Sequence, residues 1–144
     1  MEKIIIGDYN GGITVFDPHT KHESIIFEQN ETNGKIDQSL TVMCISVISE
    51  NKIVTGLKNG TLNLWNLTTH QNITLDCSHT TYVDSIAVCS KRQMISKSEK
   101  GDIKIWNLKT CKCIDTIDHK FIAIFPNTLL VSIFKTCNAL HIWK

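Results

Sequence analysis

The stretch Lys52-Ile-Val-Thr-Gly-Leu-Lys-Asn-Gly60-Thr-Leu-Asn-Leu-Trp65-Asn66-Leu67 decides the fold. Leu62 and Leu64 stand two residues apart on the approach to Trp65, which is the period of a half-buried strand. Lys58-Asn59-Gly60 interrupts the pattern with hairpin chemistry, since glycine and asparagine tolerate positive φ. The same phrase returns as Met94-Ile-Ser-Lys-Ser-Glu-Lys-Gly101-Asp-Ile-Lys-Ile-Trp106-Asn107-Leu108, again with glycine five residues before tryptophan.

The ruler extends to both ends of the chain. Ile4-Ile5-Ile6-Gly7 followed by Gly11-Gly12-Ile13-Thr14-Val15-Phe16-Asp17 fits it, with Phe16 in the tryptophan slot. Leu130-Val131-Ser132 followed by Ala139-Leu140-His141-Ile142-Trp143 fits with one extra residue. The aromatic slots are 16, 65, 106 and 143, separated by 49, 41 and 37 residues. A repeat of this length is one supersecondary unit that buries its faces against its neighbours. An apolar run precedes each hairpin (Val42–Val47, Val83–Val88, Phe121–Phe125), and a short outer strand follows each tryptophan (Asn72–Leu75, Cys113–Ile117). The units fall at about 1–30, 39–77, 79–118 and 119–144 of one domain, with a polar loop over 28–39 that explains the longest spacing. No window carries helical periodicity, so the class is all-β, built of four-stranded antiparallel sheets.

Composition narrows the chemistry. The 144 residues are 42% apolar and 20% charged, an ordinary globular balance with enough chain to bury a core. Fifteen basic against fourteen acidic residues leave a formal charge of +1, too weak a field for nucleic acid or anionic lipid. Arg92 is the only arginine, which argues against a site that grips phosphate bidentately. The chain starts without a secretory pattern and holds no apolar run of membrane-spanning length. Cytoplasm or nucleus is therefore expected, with Cys44, Cys77, Cys89, Cys111, Cys113 and Cys137 as reduced thiols.

A repeat near 40 residues ending in tryptophan and an Asp or Asn resembles the Trp-Asp-repeat β-propeller family over nearly the whole chain. His79, 27 residues before Trp106, and His119, 24 before Trp143, match the family's lead-in histidine. The resemblance implies a buried relay in each unit. The indole N–H, a donor only, gives to a Ser or Thr, the hydroxyl passes to the histidine, and an Asp six residues before the tryptophan takes the other imidazole proton. Carried over, the relay is His79, Ser96 and Trp106 in the third unit, but the acid slot holds Lys100. The second unit has Thr55 and Trp65, with Gln38 and Asn59 in the other two slots; the first has Asn10 and Phe16. The last has His119, Ser132 and Trp143, with Cys137 near the acid slot. On this reading no relay is complete, and the sheets are expected to be less rigid than in a typical member.

Other signals have plain readings. His79 beside Asp84 or Ser96 has the look of a general base, yet the relay accounts for its spacing. Cys111-x-Cys113 with His119, or Cys77-x-His79 with Cys89, departs from zinc-ligand spacing, and no metal or cofactor is expected. The sequons at Asn30, Asn59, Asn66 and Asn72 lack a secretory context. Gly7 with Gly11-Gly12 reads as a turn rather than a phosphate loop.

A ring has 4–8 blades, so this chain reads as a partial, open-arc propeller: part of a longer one, an arc that joins the missing half or a second copy, or a small closed ring. The first two leave apolar sheet faces at the ends, which favours association. The resemblance implies a non-catalytic scaffold for other proteins or peptides within a multiprotein complex. A substrate-receptor module of a ubiquitin ligase is a narrower alternative, and a propeller-based hydrolase a remote one. No small-molecule substrate, nucleic acid or membrane is expected. The implied binding face carries Asp8, Tyr9, Asn10, Lys58, Asn59, Thr80, Tyr82, Asp84, Glu99, Lys100, Lys120, Lys135 and Thr136, with Tyr9 and Tyr82 as anchors.

Overall fold

The computed structural model describes the backbone of residues 3–29, 34–125, 129–134 and 140–143, and side chains as far as Ile117. Alternation of apolar and polar residues produces the expected short strands. The first sheet is β1 (Ile4–Gly7), β2 (Ile13–Asp17) and β3 (His22–Phe27), paired in that order. The second is β4 (Val42–Ser49), β5 (Lys52–Leu57), β6 (Leu62–Asn66) and β7 (Gln71–Thr74). The third begins with β8 (Val83–Ser90), β9 (Gln93–Ser98) and β10 (Asp102–Asn107). All pairings are antiparallel, and the sheets form an open arc.

The third and fourth units are joined rather than separate. β11 runs unbroken from Lys112 to Phe125 and leads to β12 (Leu129–Phe134) and β13 (Leu140–Trp143) in one six-stranded sheet. Its first half, to Asp118, pairs with β10, and its second half, from His119, pairs with β12. Nothing between Lys112 and Phe125 is glycine or proline, so no residue forces the strand to break before Pro126.

The turns repeat more faithfully than the aromatics. Gly11, Gly60 and Gly101 all stand five residues before an aromatic slot, and all have φ between 83° and 95°. After each slot comes Asp17, Asn66 or Asn107, whose side-chain oxygen accepts two backbone N–H groups at 2.9–3.3 Å. An amide oxygen does this as well as a carboxylate, so the Asn for Asp exchange leaves the turn intact. Four residues beyond the cap, Lys21, His70 and Cys111 close the turn in the left-handed region, at φ 56–57°.

Two cores lie between the sheets. Ile13, Val15 and Ile26 of the first sheet pack on Ile53 and Trp65 of the second, with the Phe27 and Trp65 rings 5.2 Å apart. Val54, Leu62 and Leu75 of the second pack on Val83, Met94 and Trp106 of the third. Each such side chain contributes roughly 1.5–3 kcal/mol when fully buried. The sheets close this tightly because of two glycines in one register, nine residues before the aromatic slot. A Cβ on Gly7 would meet Val42 Cγ1 at 2.5 Å, and one on Gly56 would meet Val83 Cβ at 2.6 Å. Beyond the first sheet, Ile4, Ile6 and Ile25 remain about half exposed.

Candidate functional site

One buried side-chain chain organises the third sheet. Trp106, fully buried, donates Nε1–H to Ser96 Oγ at 2.8 Å. Ser96 Oγ lies 2.7 Å from His79 Nε2, and His79 Nδ1 lies 2.5 Å from Asp102 Oδ2. Ser98 donates its hydroxyl to the other oxygen of Asp102. With His79 neutral, every proton has a direction: indole to serine, serine to Nε2, and Nδ1–H to carboxylate. Both ring nitrogens are engaged, so His79 is a structural link and not a base with a free lone pair.

The acid is the correction. Counting six residues back from Trp106 gives Lys100, which sits exposed in the β9–β10 turn. Asp102, four residues back, takes the position instead. Residues 102, 104 and 106 of β10 share one face by strand alternation, and that parity is the signal that would have found it. The third unit therefore holds a complete relay.

The second unit is shorter, as its sequence suggests. Trp65 Nε1–H donates to Thr55 Oγ1 at 3.0 Å. Gln38 is exposed in a single 3-10 turn (Gln38–Leu40), and Asn59 accepts from Thr61 in the β5–β6 turn; neither side chain bonds Thr55. In the first unit Phe16 needs no acceptor, and Asp8 Oδ1 instead ties Asn10 N and Gly12 N at 2.8 and 2.7 Å. That explains Gly11-Gly12 as a turn. His119, Ser132 and Trp143 sit on β11, β12 and β13, but their side chains lie outside the described ones, as does that of Lys120. Lys135, Thr136 and Cys137 lie outside the described residues.

Burial holds His79 below its ordinary value of 6.5, while the Asp102 hydrogen bond opposes it. Partial burial acts to raise Asp102, but the bonds from Ser98 and His79 outweigh it and hold the carboxyl below 3.8. Both folded values lie under the unfolded ones, so the unfolded chain takes up more protons in acid. Stability from this cluster is complete above about pH 6.5 and is lost as pH falls through the lowered value of His79. A second loss follows below about pH 4 as Asp102 protonates. Urea unfolding at pH 7.5 and 5.5 should show the first loss in the native chain and a flatter profile in His79→Gln. Equal pH slopes in the two proteins would contradict it.

The relay holds a rim together. Its connector places His79 N 2.9 Å from Gly60 O, and the neighbouring turns bond in kind: Glu99 N to Tyr82 O, Lys58 N to Thr41 O, Asn59 N to Ser39 O, and Val42 N to Asp8 O. Thr41 Oγ1 also donates to Tyr9 O at 2.7 Å. The hairpin turns and lead-in loops thus form one ribbon. Along it Asp8, Tyr9, Asn10, Lys58, Asn59, Thr80, Glu99 and Lys100 are exposed, and Tyr82 is half-buried. Asp84, also exposed, pairs with Lys97 Nζ at 3.0 Å, a surface contact of about 0–1 kcal/mol. Among the described residues no group of three or more His, Cys, Asp or Glu side chains converges as a metal site.

No protein-family model and no curated protein matches the sequence. Solved structures do match. The WD40 β-propeller domain of Doa1 superposes with TM-score 0.66 at 25% identity, over 99% of this chain and 46% of that one. The chain has the fold of a partial β-propeller. U3-55K gives TM-score 0.73 at 17% identity, over 99% of this chain and 45% of that one. The computationally designed Ika4 protein gives 0.71 at 22%, over 99% and 85%. The chain spans 43% of the designed Ika8 protein, which it also matches.

Proposed function

We propose that this chain is a non-catalytic, Trp-Asp-repeat-type scaffold that holds other proteins in a multiprotein complex through its turn-and-loop rim. The observation that carries the reading is the rim itself: exposed polar and aromatic residues fixed by inter-loop backbone hydrogen bonds and anchored from below by the Trp106–Ser96–His79–Asp102 chain. Loops on a rigid sheet scaffold are favoured binding elements. The likeness to the WD40 domain of Doa1 points the same way. A cytoplasmic or nuclear setting suits an interaction module whose described cysteines are free thiols.

Tyr9, 60% exposed at the tip of the β1–β2 turn, is the leading anchor, with Tyr82 beside the β9–β10 turn. Tyrosine gives large rigid contact at low entropic cost. Affinity purification of the chain from cells should retain a defined protein set. Tyr9→Ala and Tyr82→Ala should each weaken its capture by about 2 kcal/mol. Ile114→Ser, on the outer strand β11, is the control and should leave it intact. The same set retained by all three variants would rule the rim out.

A further inference from the structure

The inner edge of the first sheet differs from its counterparts in the second and third. Phe16, Trp65 and Trp106 oppose Ile4, Ile53 and Met94, which puts β1, β5 and β9 at one place in the repeat. On the other side β5 is paired with β4, and β9 with β8. Among the described residues β1 pairs with β2 alone and ends its sheet. It reads Ile4-Ile5-Ile6-Gly7, with no charge, proline or bulge to guard the edge. The outer edge strands are more polar: β3 opens with His22-Glu23, and β7 is Gln71-Asn72-Ile73-Thr74. An unguarded apolar edge is a template for another strand.

The chain itself shows what such an edge takes. Cys44-Ile45-Ser46-Val47 runs antiparallel along Gly56 to Ile53, and Ser85-Ile86-Ala87-Val88 along Lys97 to Met94. By backbone register the matching residues of β11 are Phe121-Ile122-Ala123-Ile124. Each strand has isoleucine, then serine or alanine, then valine or isoleucine. Ile45 and Ile86 pack on the cores between the sheets. The residue before isoleucine is small where a glycine faces it, since a Cβ on Gly56 would stand 2.7 Å from Cys44 Sγ.

The ground beside β1 is laid out like that beside β5. Gly7 closes on Val42 as Gly56 closes on Val83, and Cys44 Sγ donates to Val83 O where β4 meets β8. A strand added to β1 would therefore lie beside β4 as β4 lies beside β8. Its small residue would face Gly7, and its isoleucine would face Ile6. That isoleucine would extend the row Ile6–Thr14–Ile25, in which Ile6 and Ile25 are about half exposed.

We propose that the inner edge of β1 is a strand-addition site for an extended segment of a partner protein, reading small residue, Ile, Ser or Ala, then Val or Ile. Main-chain hydrogen bonds give such a site its affinity, and alternate side chains give it specificity. The segment comes from a partner because β4, β8 and β11, which carry this pattern here, are each already paired within their own sheets. The site goes beyond the rim reading: it uses a sheet edge and an end face rather than the turn side chains.

The test titrates the purified chain with a fluorescein-labelled peptide Val-Asp-Ser-Ile-Ala-Val, the sequence of residues 83–88. Fluorescence anisotropy should show saturable binding. Amide hydrogen exchange across Ile4–Gly7 should slow about tenfold or more at saturation, while exchange across the outer edge Gln71–Thr74 stays unchanged. The same peptide with proline in place of isoleucine should bind about tenfold more weakly or worse. Ile6→Lys, at a half-exposed position, should weaken the native peptide by about tenfold. Circular dichroism checks its fold, and if it does not fold, the proline peptide and the exchange map decide. Absence of saturable binding, equal binding of the proline peptide, or protection on β7 rather than β1 overturns the proposal. So does a chain that is dimeric without peptide and already protected across Ile4–Gly7, which gives the edge to a second copy. Only the chain and the peptide are present, so the outcome is separate from whether the rim captures its own partners.

Discussion

Trp106→Ala should lower the unfolding free energy by about 3–5 kcal/mol. The indole is fully buried and packs with Val54, Leu62 and Leu75 of the neighbouring sheet and with Val83, Met94 and Leu108 of its own unit. Removing it opens a cavity between two sheets whose backbones are each held by their own ladders, so the site can collapse only in part. A second loss comes from the donor. Ser96 keeps His79 but loses the N–H that fills its other lone pair, and an unsatisfied buried acceptor costs about 1–3 kcal/mol. Trp106→Phe separates the two losses. It keeps most of the ring and removes the donor, so it should cost more than Trp65→Phe. The Trp65 indole ends at Thr55 with no further link in its chain. Urea titration followed by far-ultraviolet circular dichroism measures all three. A loss under about 1.5 kcal/mol for Trp106→Ala would mean that the sheets are not held together at this point.

The repeat was legible because each slot is dictated by local chemistry. Phe16, Trp65 and Trp106 stand next to last in their strands, glycine five residues earlier makes the turn, and Asp or Asn one residue later caps the next turn. These are short-range requirements, and they leave a mark at fixed spacing. Asp102 was missed because the acid was sought at a fixed offset, where Lys100 stands. The physical requirement is only that a carboxylate share the Trp106 face and reach the buried imidazole. The junction at β11 was missed for the opposite reason. Cys113–Ile117 and Phe121–Phe125 each read as a strand, and the absence of any breaker between them is a weaker signal than the presence of one.

Gly56 shows the same limit most sharply. In the chain it is an unremarked glycine inside a strand, between Thr55 and Leu57. In space it is the point where β8 closes on β5. A Cβ there would lie 2.6 Å from Val83 Cβ and Cγ1 and 2.7 Å from Cys44 Sγ. Neither neighbour can swing away, because Val83 is itself fully buried and Cys44 donates to Val83 O at 3.5 Å. Gly56→Ala should therefore destabilise by about 1–3 kcal/mol through overpacking, although alanine is no worse than glycine for a strand backbone. Gly56→Val should cost more. The diagnostic result is coupling. Val83→Ala alone opens a cavity and destabilises, but in the Gly56→Ala background it removes Cγ1, one of the two Val83 atoms 2.6 Å from the new methyl, and lets the remaining strand shift into the space so opened. The double variant should be more stable than the sum of the singles by about 0.5–3 kcal/mol. In the third sheet the same register holds Lys97, whose side chain is only partly buried and turns to Asp84. No glycine there demands a close neighbour, so Lys97→Ala should cost under about 1 kcal/mol. Strict additivity of Gly56→Ala and Val83→Ala in urea unfolding would mean that the second and third sheets do not meet at this glycine.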